Sequence, residues 1–338
     1  MSRCTSALAA TIGALSLTVA MAPAVGATSA APSTRAASWL ASQVSAGYVP
    51  SGSGVDVADT IQVALALADP VLGQAAVGAK VEHYLYTHAP SIVAGIGTAD
   101  PGDLAFLILS AHAYGVNPKS FNKLNLVTKL QGELQGAKAR APGLFGSADP
   151  TYDGTIRQGL AMAALKAAGV AIPASATTWL KAQRCSSGAF SSDVALNPCS
   201  GAPANYEGAD TNSTGFAVVG LAAAGVAVPT ATLNFVKSDQ NADGGWGFYP
   251  TNTSDPDSDA YVLEGLESSS GTVQFPSAKR GVTNLFSFQI TSGPGVGALS
   301  YPGVAGANLL ATEQAVQVAT GQPLWAVLDA GAAKSIVA

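Results

Sequence analysis

Three carboxylates fall within five residues in the stretch Ser254-Asp255-Pro256-Asp257-Ser258-Asp259. Carboxylates packed this closely cannot all ionise without cost, so at least one must hold its proton to a higher pH than a free side chain does. A carboxylic acid kept protonated near neutrality can give a proton to a substrate. The same triplet would also serve as the capped first turn of a helix with a solvated acidic edge. Four further aspartates, Asp59, Asp103, Asp153 and Asp210, stand at the heads of apolar segments and, with Asp259, repeat that capping pattern; Asn308 takes the sixth such place. Together they are the candidate rim of a binding site, with Tyr249, Tyr261 and Phe216 as the aromatic side chains suited to contact a ligand.

The segments behind these acids, 59–68, 103–114, 155–168, 213–224, 259–267 and 308–319, are apolar nearly all round, which predicts helices buried on more than one side. Three links between helices read alike: "AYGVNP" (113–118), "AAGVAIP" (167–173) and "AAGVAVP" (223–229). A Gly ends one helix in the left-handed conformation and a Pro opens the next. A second signal recurs ahead of the acids, as "SWLASQVSAGY" (38–48), "TWLKAQRCSSGAF" (178–190) and "NFVKSDQNADGGW" (234–246), with weaker copies at 83–88, 126–145 and 284–289. Six units result, about 36–69, 76–115, 120–169, 173–225, 229–268 and 276–321, each a more polar helix followed by a more apolar one. Such units cannot bury their apolar faces singly and must stack. The expected fold is all-α, an α6/α6 toroid of six αα-hairpins with an inner ring of six helices inside an outer ring of six. Residues 28–35 read as a short linker and 322–338 as a closing helix. Because the helices alternate in direction, the long outer-to-inner loops share one rim with all the inner-helix N-termini, and that rim is the expected site.

The run Phe235-Val236, Gln240, Gly244, Trp246 resembles the QW repeat of squalene cyclases. The six units together resemble the α/α-toroid superfamily of terpenoid cyclases and protein prenyltransferase β-subunits, the prenyltransferase/squalene oxidase repeat proteins, over about residues 36–321. The resemblance implies ligands held in a central cavity, a Trp246 wedged between neighbouring hairpins, and a Gln240 bonded to backbone groups. In those cyclases a DxDD motif at this helix start protonates an alkene or epoxide through its middle Asp. Asp255 and Asp257 align with the first two carboxylates, while Ser258 replaces the last; shifting the frame to Asp257 and Asp259 puts Ala260 there instead. A class II, protonation-initiated cyclase of this kind would use Asp257 as general acid, with Asp255 and Asp259 tuning it. The zinc ligands of the prenyltransferases find no match, since His83, His88 and His112 are the only histidines. Secreted vitamin B12 carriers share the ring, which makes a corrinoid a further implied ligand.

Composition narrows the setting. The chain is 48% apolar and 11% charged, yet its longest apolar run past the N-terminus, 215–229, holds three glycines and ends in Pro229, short of the ~20 residues a spanning helix needs. Arg3, an apolar stretch over 7–22 and Val25-Gly26-Ala27 read as a signal peptide, 1–27, with Ala30 as an alternative cleavage position. The expected location is therefore extracellular or cell-wall associated. Cleavage removes Cys4 and leaves Cys185 and Cys199 to form a disulfide in an oxidising compartment, stabilising by about 3 kcal/mol in the chain-entropy view. A formal charge of −5 without a basic stripe argues against nucleic acid. "DQNADG" (239–244) opens like a calcium loop, but Pro250 stands where its Glu is needed, so it reads as a turn. No metal or cofactor is expected. The function read from these features is non-catalytic binding of an apolar or isoprenoid-like small molecule, or of a partner, with a terpene cyclase-like enzyme and a corrinoid binder as alternatives.

Overall fold

The chain is mostly helical. The computed structural model describes residues 30–52, 54–96, 101–147, 154–192, 198–200, 207–270, 276–327 and 336–337, so the expected signal peptide lies outside the described residues. Among them are thirteen α-helices: α1 (Pro32–Gln43), α2 (Val57–Ala66), α3 (Ala75–Thr87), α4 (Ala89–Ile96), α5 (Pro101–Ala113), α6 (Leu126–Gly132) and α7 (Gly154–Ala167) in the first half. The second half holds α8 (Ala174–Ala182), α9 (Thr211–Ala223), α10 (Thr230–Ser238), α11 (Pro256–Ser270), α12 (Pro276–Leu285) and α13 (Leu309–Gln317). None of the described helices is long and apolar enough to cross a membrane.

Six of these, α2, α5, α7, α9, α11 and α13, are the apolar helices anticipated above, and they form the core. Contacts run from α2 to α5, then to α7, α9, α11 and α13, and from α13 back to α2. Small residues let them approach. A Cβ on Gly215 of α9 would lie 2.2 Å from the Tyr261 carbonyl oxygen of α11, and one on Gly159 of α7 would lie 2.1 Å from the Phe216 carbonyl oxygen. Gly215 and Gly220 of the 215–229 run therefore serve close packing, while Gly225, at φ +67°, serves the turn that follows α9.

Two of the links from a flanking helix to its core helix share one device. Gly244 takes φ of +98°, with Arg280 of α12 close against the place a Cβ would fill. Trp246 behind it is fully buried, and its Nε1 donates to the Val236 carbonyl at 2.8 Å. Gln240 Nε2 donates to the Gly244 carbonyl at 2.6 Å and to the Ser277 carbonyl of the next flanking helix at 2.8 Å. The last copy uses the same bonds across the chain's length: Gln289 Nε2 donates to the Gly297 carbonyl and to the Pro32 carbonyl of α1, both at 2.8 Å, and Arg35 donates to Gln289 Oε1 at 2.6 Å.

Three differences from the sequence reading have local causes. Helix α1 starts at Pro32, inside the expected linker, because Pro lacks only an N–H that a first helical turn leaves unpaired anyway. Helix α4 was not anticipated; it follows α3 after a single residue, His88. Of the expected closing helix, 328–335 and 338 lie outside the described residues, and 322–327 runs as turn rather than helix. That turn is tied to the C-terminal parts of the core helices. Leu324 N donates to Glu264 Oε1 at 3.1 Å, Gln322 Nε2 donates to Asp69 at 3.4 Å, and the Trp325 backbone bonds His112. Leu324 and Val327 are buried beneath it, beside an enclosed recess of about 10 Å³, room for about one water molecule.

Candidate functional site

The acidic triplet sits at the start of α11, arranged differently from the sequence expectation. Asp255, not Asp259, caps the helix: its Oδ1 accepts from Ser258 N and its Oδ2 from Ser258 Oγ, both at 2.8 Å. Asp257 and Asp259 lie in the first turn. Asp259 is fully buried and accepts the Trp246 backbone N–H at 2.7 Å. Other core helices fill that same role with neutral side chains: Thr60 takes the Val49 N–H, Gln158 that of Phe145, Thr214 that of Phe190 and Thr312 that of Leu299. Asp259 is thus a carboxyl at a repeated structural position, with a second oxygen left over.

The remaining expected rim residues divide. On α2, Asp56 provides the cap, accepting from Asp59 N at 3.2 Å, which leaves Asp59 half-buried in the first turn. Asp210 is a fully buried cap of α9, accepting from Ser213 N at 2.7 Å, so it borders the site without facing it. Asp103 is half-buried in the first turn of α5, and Asn308 caps α13 as expected. Asp153 lies outside the described residues. Tyr249 is half-buried in the turn before α11, its ring 4.6 Å from that of Phe248. Phe216 is buried and meets the ring of Tyr261 edge-on at 4.8 Å, and the Tyr261 hydroxyl accepts from Gln314 Nε2 of α13 at 3.0 Å.

Burial varies regularly along this face. Asp59 and Gln62 of α2, Asp103 and Phe106 of α5, and Asp257 and Tyr261 of α11 are half-buried while most of their helical neighbours are fully buried. Separations of three or four residues put each pair on a single helical face. The accessible strip on these three core helices is therefore one face of their first two turns.

Its electrostatics follow from burial without counter-charge. Burial, helped by the neighbouring Asp255, pushes Asp257 up to about 7. Burial pushes Asp259 up to about 8 against its bond from Trp246, with Asp255 and Asp243 adding to the rise. Asp255 is raised by burial despite bonds from Ser258 and Tyr301. Glu313 of α13 is raised well above the usual carboxylate range by burial and by Asp59 and Asp56, and Asp59 is raised by burial and Asp56. Asp257 Oδ1, Asp259 Oδ2, Gln314 Oε1 and both Glu313 carboxyl oxygens are buried without a hydrogen-bond partner. Carboxyls raised as far as those of Asp257 and Asp259 keep protons near neutral pH.

The sequence reading missed the acids inside the helices. Glu313 is one; Glu82 accepts from Ser110 Oγ and is pushed up to about 8 by burial. Glu264 is raised by burial to about 8, and Glu267 by burial and Glu264 to about 10. A signal was present, a Glu inside an apolar helical segment with no basic residue a turn away, as for both acids of "YVLEGLE".

The expected disulfide joins Cys185 to Cys199, with Cα atoms 5.3 Å apart. Among the described residues, the acid and thiol side chains close enough to share an ion are Cys185, Cys199 and Glu207, and both sulfurs are committed to the disulfide. Two open recesses lie away from the acids, one of about 980 Å³ along α1 and α3 and one of about 760 Å³ among α4, α5 and α6.

No protein-family model matches the chain, and no curated protein matches it. Among solved structures it is similar to the type II terpene cyclase MstE from Scytonema, in its apo form, at 15% identity and a TM-score of 0.42, over 90% of this chain and 76% of that one.

Proposed function

We propose that the protein is a secreted α/α toroid that binds a small, largely apolar molecule at the acid-lined mouth of its central ring. The cyclic order of contacts among the core helices and the Gln289–Pro32 bond between the last and first hairpins support the ring. The observation that carries the binding reading is the half-buried face shared by Asp59, Gln62, Asp103, Phe106, Asp257 and Tyr261 at the starts of three core helices. Asp257, raised to about 7, offers a neutral hydrogen-bond donor, and the Tyr261–Phe216 pair supplies apolar contact. Native mass spectrometry of protein purified from culture medium tests it. A retained molecule, lost in the Tyr261→Ala/Asp257→Asn double variant, is expected, and a corrinoid would be recognised by its mass. Protein that retains nothing and takes up no supplied isoprenoid would count against the reading.

A second reading is favoured by one specific observation: half-buried Asp257 is raised to about 7 by burial and by Asp255, and its buried Oδ1 has no hydrogen-bond partner. That is the state of a general acid, and Asp257 would protonate a bound alkene, with Asp255 tuning it. Turnover of a supplied polyprene by wild type and its loss in Asp257→Asn would establish catalysis; turnover surviving in Asp257→Asn would remove Asp257 from that role.

A further inference from the structure

A recess of about 180 Å³ lies where the end of α8 meets the turn between α9 and α10. Phe190, Leu221, Val226 and Pro229 give it an apolar wall, and Lys181 and Arg184 line it too. We propose that it binds a small molecule with an apolar body of about benzene size and one anionic head group, a carboxylate or a phosphoryl group. None of these residues belongs to the acid-lined face described above, so the two sites are separate.

The recess has the room, since an apolar cavity of about 150 Å³ is enough to hold benzene. Its wall is fixed locally. Gly225, at φ +67°, turns the chain after α9, and Val226 N donates to the Leu221 carbonyl at 2.9 Å, which folds Val226 back toward Leu221. Phe190 is fully buried, and its N–H donates to Thr214 Oγ1 of α9 at 2.9 Å.

Charge decides what enters. The chain carries 16 Lys and Arg against 21 Asp and Glu, so an anion gains nothing from the molecule as a whole. At this recess the balance is reversed. Lys181 and Arg184 are both exposed, and neither side chain has a hydrogen-bond or ion-pair partner among the described residues. No acid is among the described residues that line the recess. Lys and Arg lay their stems along apolar surface and keep their charges in water, which puts two positive charges at the opening of an apolar hollow. A guanidinium meets a carboxylate or phosphate with two parallel bonds, and an ammonium adds further donors. The backbone that carries Arg184 is held on both sides. Ser191 N donates to the Gln183 carbonyl at 2.9 Å, Cys185 N donates to the Ala189 carbonyl at 2.8 Å, and Cys185 is joined to Cys199. A seat fixed before binding loses less freedom when the ligand arrives.

A cation in the last turn of α8 also suits the helix dipole, but that role needs neither a recess nor an anion. Binding and stability therefore separate the two roles. Amide NMR titration of the purified protein at pH 7 with benzoate, with benzyl alcohol as its neutral counterpart and with phenyl phosphate tests the proposal. Benzoate is expected to shift Arg184, Phe190, Leu221 and Val226 with a Kd of about 1 mM or below and to bind at least about tenfold more tightly than benzyl alcohol. The Lys181→Gln/Arg184→Gln double variant should lose that preference while keeping its affinity for benzyl alcohol and its melting temperature. Phenyl phosphate binding more tightly than benzoate would identify the head group as phosphoryl, and the reverse order would identify it as a carboxylate. A preference that survives in the double variant would overturn the proposal, as would benzyl alcohol binding as tightly as benzoate. So would the absence of shifts at these residues up to about 10 mM benzoate.

Discussion

The starts of the core helices and their finishes are treated by the chain in opposite ways. Where they finish, residues 322–327 lie across them, with Gln322, Leu324 and Trp325 bonded to Asp69, Glu264 and His112. Where they begin, Asp59, Asp103 and Asp257 stay half-exposed, and buried oxygens of Asp257, Asp259 and Glu313 have no partner. Both ends hold acids with raised proton affinity. Glu264 and Glu267 near the covered end are also buried and raised, so a raised carboxyl alone does not mark a site. Unpartnered acid oxygens occur at both ends, those of Glu264 and Glu267 included, and what distinguishes the open end is that such acids lie beside an accessible helical face.

Breaking the frame common to both ends should have the largest effect. Trp246 is fully buried and packs against Gly281 of α12 as well as bonding Val236, so Trp246→Ala is expected to cost about 3–5 kcal/mol in urea unfolding. Loss of under about 1 kcal/mol would mean that the wedge is not structural. Next, the covered end can be loosened alone. Leu324→Ala should cost about 2–4 kcal/mol and speed hydrogen exchange in the C-terminal turns of α2, α5 and α11, while leaving ligand retention at the open end intact. Coupled loss of retention would join the two ends into one functional unit.

A smaller, pH-dependent effect separates the ends further. Glu264 and Glu267 have native values near 8 and 10, above their unfolded values, so the native state holds protons that the unfolded chain gives up. Stability is then greatest on the acid side, falls as pH rises from about 4.5 through about 8 to 10, and levels off above that. The melting temperature should drop by roughly 5 °C or more between pH 5 and pH 9, and Glu267→Gln should flatten the curve. A melting temperature that rises over this window would contradict the assignment. The smallest effect on stability belongs to Asp257→Asn, which copies the neutral acid. It should shift unfolding by no more than about 0.5 kcal/mol at pH 6 and, because its amide still donates, weaken retention of a bound molecule without abolishing it.

The legible part of the fold was whatever repeats locally. Core helices showed as segments apolar on every side, the Gly-Val-Pro links marked where they stop, and Cys185 and Cys199 paired as their isolation suggested. Cap assignments were harder. "VDVADT" and "SDPDSD" each offer more than one carboxylate at cap spacing, and the caps fall to Asp56 and Asp255. Asp259 was engaged instead by Trp246, a residue from the preceding turn whose approach no local pattern reveals. The internal glutamates were missed for a related reason. An acid inside an apolar helix reads as an exposed residue until the neighbouring helices are in place, and only then is it seen to lack a counter-charge.

The most direct test is a carboxyl carbon-13 NMR titration of protein labelled at Asp and Glu, with Asp257 and Glu313 assigned through Asp257→Asn and Glu313→Gln. Asp257 is expected to titrate with a midpoint near 7 and Glu313 well above the ordinary range for a glutamate. Midpoints below about 5 for both would leave the open end as an ordinary solvated edge, with neither a proton to give nor a seat for a ligand.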